Sequence, residues 1–544
     1  MIFALPYPFS DHPSFPEGIL KKALEIEGFS VGILETPFWQ EPSSFAALGR
    51  PRLFFAIISG PLDSVVLNYT SSRKRRREDL YQQDGKAFFD GAASSISSKI
   101  RPDRTILVFA NRIREAFKDV PIVIGGLEAS LRAFAHYDFQ EDRIRRSILL
   151  DSRADLAVTG MGEKQIVAIA RSLKQGKQAR DLDLPGTARL AADPPSQDGF
   201  VRLPSLERIL GERSKLLEAQ ILLEKALLGG KGFFQEHQGR WVIARKAETY
   251  QPSDLDLIYG QEYSRSHRSA RTRSPALQMN LFSITSHRGC GGGCAFCSIS
   301  LHEGKPLVSR SQESILHEIE RLTMHPAWKG YISDIGGASA EMYGMACTQS
   351  GCAKASCLHP QPCRHLSSVS PFIGLLRACR KLKGVKKVFL GSGIRYDLFL
   401  EHPDLLEEIM LHHAGRFLRV APEHTEDDIL HLMKKPPFEA FQRFVRLFDS
   451  INKSLERKIQ LAPYLIVGHP GERWGHVQSM ARKIKGLGLQ ATGVQIFTPT
   501  PGTLSTAMFY SQALPTLEPL ETETNIQALK QRKHLLMEQT GVSP

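Results

Sequence analysis

The sequence predicts an α/β protein in three parts, an N-terminal doubly wound domain, a connecting region and a partial (β/α)6 barrel. Three observations carry that expectation. Short apolar runs alternate with helix-like stretches from the start to about residue 180, and six strand-and-helix units follow one another from about residue 276. Between the two series lies a stretch broken by Leu184-Pro185-Gly186, Asp193-Pro194-Pro195 and Gly229-Gly230-Lys231-Gly232. Apolar runs spaced by helical patterns are what parallel sheets with covering helices require.

In the first series the expected strands are 30–34, 53–59, 106–109, 121–124 and 156–159. Gly125-Gly126 and Gly160-Met161-Gly162-Glu163 follow two of these runs, where open α/β sheets place a ligand crevice; tight strand-to-helix turns call for the same glycines. In the second series the expected strands are 280–285, 331–335, 387–390, 417–421, 461–467 and 493–497, with helices at 311–322, 372–382, 438–451 and 477–484. The chemistry of such a barrel sits at the carboxyl ends of its strands. The resulting division is 1–180 for the N-terminal domain, 181–275 for a connecting region, 276–510 for the barrel and 511–544 for a C-terminal helical extension.

A chain of 544 residues, 42% of them hydrophobic, is long enough for two or three domains. No apolar run approaches the roughly 20 residues that cross a bilayer. The opening Met1-Ile2-Phe3-Ala4-Leu5-Pro6 lacks the charged start of a signal peptide. A soluble, cytoplasmic protein without membrane contact is expected. The 70 Lys and Arg against 57 Asp and Glu give a formal charge of +13, which favours an anionic partner such as RNA, a nucleotide or an acidic protein. The run Arg73 to Arg77 is a candidate phosphate contact, although Glu78 and Asp79 blunt its charge and such runs are commonly solvated faces.

Eight cysteines are too few for a disulfide scaffold, and seven fall between Cys290 and Cys363, a crowding that points to metal ligation. Cys290, Cys294 and Cys297 stand in Gly289-Cys290-Gly291-Gly292-Gly293-Cys294-Ala295-Phe296-Cys297, a Cys-x3-Cys-x2-Cys with an aromatic before the last cysteine. A 4Fe-4S cubane normally takes four cysteines, so three thiolates leave one iron free to bind something else. The glycines let backbone N–H groups approach the sulfurs without interference from Cβ. The competing reading is structural zinc, but zinc loops usually supply paired cysteines with two further ligands at longer range. Cys347, Cys352, Cys357 and Cys363 form a second group, with four thiolates that could close a zinc site or a second 4Fe-4S cluster; free structural cysteines are the third reading. Cys379 lies in a helical pattern and reads as core packing. Glu423 and His424 follow a barrel strand, where Glu423 could bind substrate and His424 relay a proton, while Thr425 and Asp428 read as caps of the next helix.

The three-cysteine motif resembles that of the radical S-adenosylmethionine (SAM) superfamily. The likeness extends over most of the chain to its YgiQ-type subgroup, through Asp11-His12-Pro13-Ser14-Phe15, Asn68-Tyr69-Thr70, Gly125-Gly126-Leu127-Glu128-Ala129-Ser130-Leu131-Arg132, Ala135-His136-Tyr137-Asp138, Asp334-Ile335-Gly336-Gly337, Ser392-Gly393-Ile394-Arg395-Tyr396-Asp397-Leu398 and Ala421-Pro422-Glu423-His424-Thr425. The resemblance implies an enzyme that cleaves SAM at a 4Fe-4S cluster to a 5′-deoxyadenosyl radical, fed by an external flavodoxin- or ferredoxin-like reductant. It implies that Gly336 and Gly337 contact the amino group of SAM, and that Ser392, Arg395 and Glu423 belong to the same cofactor site. By the same likeness, Gly468-His469-Pro470-Gly471-Glu472 corresponds to a glycine turn near adenine. It further implies a cobalamin-binding-like N-terminal domain. Here the sequence departs from the Asp-x-His-x-x-Gly signature of corrinoid ligation, since Asp11 and His12 are adjacent; corrinoid held without a protein ligand and a fold that has lost the cofactor are both left open. Two alternatives stand beside this reading: a methylthiotransferase-like RNA-modifying enzyme, and a metal-stabilised nucleic-acid-binding protein without catalysis.

Overall fold

Four apolar residues in a row, Ile2–Leu5 (β1), begin the chain as a strand buried on both faces. The computed structural model describes residues 1–89, 98–196, 198–349 and 352–542. They fall into two units, one of Met1–Thr249, Gln261–Leu281 and Pro499–Ser511, the other of Tyr250–Gly260, Phe282–Thr498 and Gln512–Pro544.

The first unit is built on one nine-stranded sheet. After β1 and helix α1 (Pro16–Ile26) come Gly32–Glu35 (β2), Phe55–Ile58 (β3), helix α2 (Thr105–Ala116), Ile122–Gly125 (β4), Leu156–Val158 (β5) and helix α3 (Glu163–Lys174). These five strands pair in parallel in the order β2-β1-β3-β4-β5. That is a doubly wound order, with its switch point between β1 and β3. The run 106–109, expected as a strand, lies inside α2. Ile106, Phe109, Ala110 and Ile113 are buried along one side of that helix, so the helical period prevails over the β-branched composition. Within the stretch expected as a connection, Thr187–Ala191 (β6), Phe200–Arg202 (β7), Gly232–His237 (β8) and Arg240–Ala244 (β9) extend the same sheet beyond β5. Antiparallel pairings join β5 to β6, β6 to β9 and β9 to β8.

The second unit is a series of parallel strands alternating with helices. Its strands are Ser283–Thr285 (β10), Tyr331–Ile332 (β11), Asp334–Gly336 (β12), Lys387–Val388 (β13), Phe417–Glu423 (β14), Gln460–Val467 (β15) and Gly493–Ile496 (β16). Ser333 interrupts what is otherwise one strand, so that β12 pairs with β10 and β11 with β13. Strands β14, β15 and β16 form a continuous three-stranded sheet, and a single bridge, Ile394 to Val420, joins the segment after β13 to β14. Helices α4 (Gln312–Thr323), α5 (Ser370–Lys381), α6 (Phe438–Ser454) and α7 (Trp474–Gly486) cover the series. In α6, Phe438, Phe441, Phe444, Val445, Phe448 and Ile451 are buried at helical spacing, and each such side chain contributes about 1.5–3 kcal/mol of burial. Cys379 of α5 is buried in that core. A last helix, α8 (Ile526–Gln539), places Leu529 and Leu536 there too. The fold is thus an α/β pair, a doubly wound domain and a partial barrel of six βα units.

Candidate active site

Beyond β10 the chain turns into the cysteine loop through a short antiparallel pairing of His287–Arg288 with Val308–Ser309. Gly289 takes a φ of +88°, and a Cβ there would lie 2.0 Å from the Pro306 carbonyl oxygen. Only glycine fits at that position. The loop is then tied down by Gly289 N–H donating to Glu303 (3.0 Å), Cys290 N–H to the Gly304 carbonyl (3.1 Å) and Ala295 N–H to the Met433 carbonyl (3.0 Å).

Gly292 lies between two of the thiols. A Cβ on it would stand 3.4 Å from Cys290 Sγ, 3.7 Å from Cys294 Sγ and 3.0 Å from Arg395 Nη1. Its N–H donates to Cys290 Sγ at 3.4 Å. Burial, and then the neighbouring Cys294, push Cys297 up to about 12, and the same two causes raise Cys290. Buried thiols that hold their protons this tightly become thiolates only against positive charge. The fit to an iron–sulfur centre rests on this donor set: three thiols on one loop, a backbone N–H directed at one sulfur and a guanidinium beside another. Among the described residues, no three His, Cys, Asp or Glu side chains are drawn onto a point that one metal ion could occupy.

Arg395 reaches this loop from the segment after β13. Its Nη1 is 3.9 Å from Cys294 Sγ. Nε and Nη2 donate to the two carboxylate oxygens of Asp397 at 3.2 and 3.0 Å. The carboxylate that Arg395 grips is therefore one from its own chain. The Arg395 N–H donates to Glu341 Oε1 at 2.7 Å, while Glu341 Oε2 is buried without a hydrogen-bond partner among the described residues. Burial raises Glu341 to about 7. The sequence reading missed this residue; its one signal was an acid four positions beyond Gly337.

Gly336 ends β12 with Thr285 in register beside it, and Gly337 follows. A Cβ on Gly337 would lie 2.5 Å from the His287 carbonyl oxygen, so close backbone packing alone accounts for this glycine. Ser392 is exposed, and its hydroxyl donates to Asp334 Oδ1 at 3.2 Å; the same oxygen accepts the Gly391 N–H at 2.9 Å. Glu423 closes β14 at a φ of +69°, where the register with β15 shifts. Such an irregularity re-aims a side chain at the end of a strand. Lys435 Nζ lies 3.8 Å from the Glu423 carboxylate, and burial raises that carboxyl. The Glu423 charge in turn acts on Cys297.

His424 is buried and turned elsewhere. Its Nε2 lies 3.2 Å from Glu472, which also receives Arg532 at 3.0 Å. That set ties two strand ends to α8 and has a structural purpose. Gly468 likewise packs on α8, where a Cβ would meet Leu529 at 2.3 Å.

In the first unit, the space beyond the switch point is occupied by the chain itself. Tyr7 follows β1 and lies so close to Gly60, after β3, that a Cβ there would be 2.7 Å from its ring. Gln82 donates to the Pro6 carbonyl at 2.5 Å, and Arg101 lies over the Tyr7 ring at 5.4 Å while paired with Asp79 at 2.9 Å. After β4, Arg132 binds Asp63 at 2.6 Å and Asp138 at 3.0 Å. His12 is buried with both ring nitrogens engaged: Nδ1 accepts the Ser14 N–H at 3.0 Å, and Nε2 is 2.9 Å from Arg265 Nη1. Burial, and then Arg265, hold its pKa well below the usual histidine range. These residues do not fit a corrinoid with His12 as its axial ligand.

No helix among the described residues is long and apolar enough to cross a membrane. Comparison with known proteins gives the chain its relatives. The Radical SAM N-terminal family model matches residues 2–283. A UPF0313 protein of Geobacter sulfurreducens is 42% identical over 94% of this chain and 84% of its own length. One of Methanocella arvoryzae is 41% identical over 92% and 84%. A solved structure of the radical SAM methyltransferase TsrM from Kitasatospora setae, with cobalamin and a [4Fe-4S] cluster bound, shares the fold with a TM-score of 0.53. It is 17% identical, across 94% of this chain and 77% of that one. With half its length matched by that family model and near full-length relatives at this identity, the chain belongs to the Radical SAM N-terminal family and, within it, to the UPF0313 proteins, the YgiQ-type group.

Proposed function

We propose that the protein is a radical SAM enzyme in which Cys290, Cys294 and Cys297 hold a 4Fe-4S cluster and leave one iron for SAM. The observation that carries this is the arrangement around Gly292, with the Cys290 and Cys294 thiols and the Arg395 guanidinium meeting over a residue that has no side chain. When bound, the cluster supplies an electron to the SAM sulfonium, yielding methionine and a 5′-deoxyadenosyl radical.

The chain's own residues present the thiols and receive SAM. The Gly292 N–H and Arg395 Nη1 stabilise negative charge on the sulfurs of Cys290 and Cys294. Asp397 holds Arg395 in place for that task. Gly336 and Gly337 offer backbone to the SAM ammonium, and the open Oε2 of Glu341 accepts a hydrogen bond from it. Ser392, fixed by Asp334, and Glu423, paired with Lys435, complete the cofactor site. A flavodoxin- or ferredoxin-like reductant and a cytoplasmic location belong to the same reading. The charge of +13 favours an anionic substrate such as RNA.

Anaerobic reconstitution followed by dithionite tests the proposal. SAM should be cleaved to 5′-deoxyadenosine, and Cys294→Ala should abolish cleavage while far-UV circular dichroism stays unchanged. Zinc in the first loop without SAM cleavage would sink the reading in favour of a non-catalytic nucleic-acid-binding protein.

A further inference from the structure

The thiols of Cys347, Cys352, Cys357 and Cys363 belong to a loop, residues 346–367, whose described residues form no helix or strand. Its base is a short antiparallel closure. Cys347 bridges Leu366, Thr348 N–H donates to the His365 carbonyl at 2.9 Å, and Ser367 N–H donates to the Ala346 carbonyl at 3.0 Å. Among its described residues only Ser356 and Leu358 are buried, at 9% and 0% exposure. Long loops without helix or strand are uncommon unless a function or a cross-link accounts for them.

Within the loop the backbone brings Cys347, Cys357 and Cys363 together. Cys363 N–H donates to the Cys357 carbonyl at 2.8 Å, and Leu366, which bridges Cys347, donates its N–H to the Cys363 carbonyl at 2.9 Å. Lys354 Nζ is 4.0 Å from Cys363 Sγ. The loop is also bound to the first cysteine loop. Cys357 N–H donates to the Gly291 carbonyl at 2.8 Å, and the Ser356 hydroxyl donates to the Gly292 carbonyl at 2.6 Å. A Cβ on Gly293 would lie 2.3 Å from the Ala355 carbonyl oxygen.

We propose that Cys347, Cys352, Cys357 and Cys363 form a closed four-thiolate metal site that staples this loop against the first cysteine loop and fixes the carbonyls of Gly291 and Gly292. The ligand is a thiophilic centre, a single zinc ion or a 4Fe-4S cluster, each of which takes four cysteines. The site does not depend on the radical reading, because none of its ligands belongs to the first loop.

The full chain carrying Cys290→Ala, Cys294→Ala and Cys297→Ala isolates it. After anaerobic reconstitution with iron and sulfide, or separately with zinc, gel filtration should leave about four iron and four sulfide or about one zinc per chain. Adding Cys357→Ser should abolish that retention. Iron with sulfide identifies a cluster and zinc alone a structural ion, and either supports the site. A folded triple variant that binds neither overturns it. Should that variant fail to fold, the unaltered chain decides: about eight iron, or about four iron with one zinc, supports the site, and about four iron alone overturns it. Stapling is read from Cys357→Ser in the otherwise unaltered chain. Iron in the first loop should fall, and undiminished loading there overturns that part.

Discussion

The Arg395 guanidinium lies fork to fork on Asp397, at 3.2 and 3.0 Å, and presents its remaining nitrogen to Cys294 Sγ at 3.9 Å. Asp397 is buried and Arg395 nearly so, so removing one partner leaves the other desolvated without its counter-charge. Asp397→Asn should destabilise the chain by about 3–5 kcal/mol, the usual cost of breaking a buried pair. Denaturant titration of the two proteins measures it; a loss below about 1 kcal/mol would show a pair screened by solvent.

Gly292→Ala tests the gap between the thiols. Its φ lies outside the left-handed region, so the backbone accepts alanine. The new methyl would stand 3.0 Å from Arg395 Nη1 and 3.4 Å from Cys290 Sγ. Iron retained after reconstitution should fall about 10-fold or more, in the range seen when groups supporting metal ligands are altered. Gly374→Ala is the control, since nothing lies within 4 Å of its Cβ and it sits within α5. It should leave iron binding unchanged and add up to about 1 kcal/mol of stability.

Glu17 gives the N-terminal unit a pH dependence. Burial raises its carboxyl from 4.5 to about 8, and it accepts the Tyr7 hydroxyl at 3.0 Å. A carboxyl raised by folding contributes stability that is fully present below its unfolded value and lost as pH rises through its folded value. Stability should therefore decline between about pH 5 and pH 9. Glu17→Gln should flatten that decline, as followed by denaturant midpoints across the range; an unchanged slope would assign the pH dependence to another group.

Cobalamin should not bind. Tyr7, Gln82 and Arg101 fill the space past the switch point, and His12 has both ring nitrogens engaged. Hydroxocobalamin mixed with the full chain should elute separately from it on gel filtration. Stoichiometric co-elution would contradict the packing described for this crevice.

The barrel strands were legible because each is a run of β-branched and apolar residues closed by a turn, as in Leu461 to Val467. Strand β1 was not, because it occupies the first residues of the chain, where no preceding helix marks the rhythm. The run 106–109 misled because four apolar residues fit a strand or a helical face equally well, and only the continuation to Ile113 decides between them. Strands β6 to β9 were hidden by Pro and Gly turns and by polar residues such as Arg189 and Gln235 on short antiparallel strands. At the candidate site the cysteines announced themselves by spacing. Asp397 and Glu341 did not, since what sets them apart is burial and a partner distant in sequence, and neither is written in a local pattern.

The single bridge between Ile394 and Val420 has a consequence for how the barrel opens. On one side of it, β14, β15 and β16 are knit along their whole lengths; on the other, β11 and β13 share two paired residues. Amide protons of Gln460–Val467 should exchange with solvent only when the whole unit unfolds, and those of Lys387–Val388 through a smaller, earlier opening. The seam between these two regimes runs through Arg395, so the residue that faces Cys294 stands where the barrel is most readily prised apart.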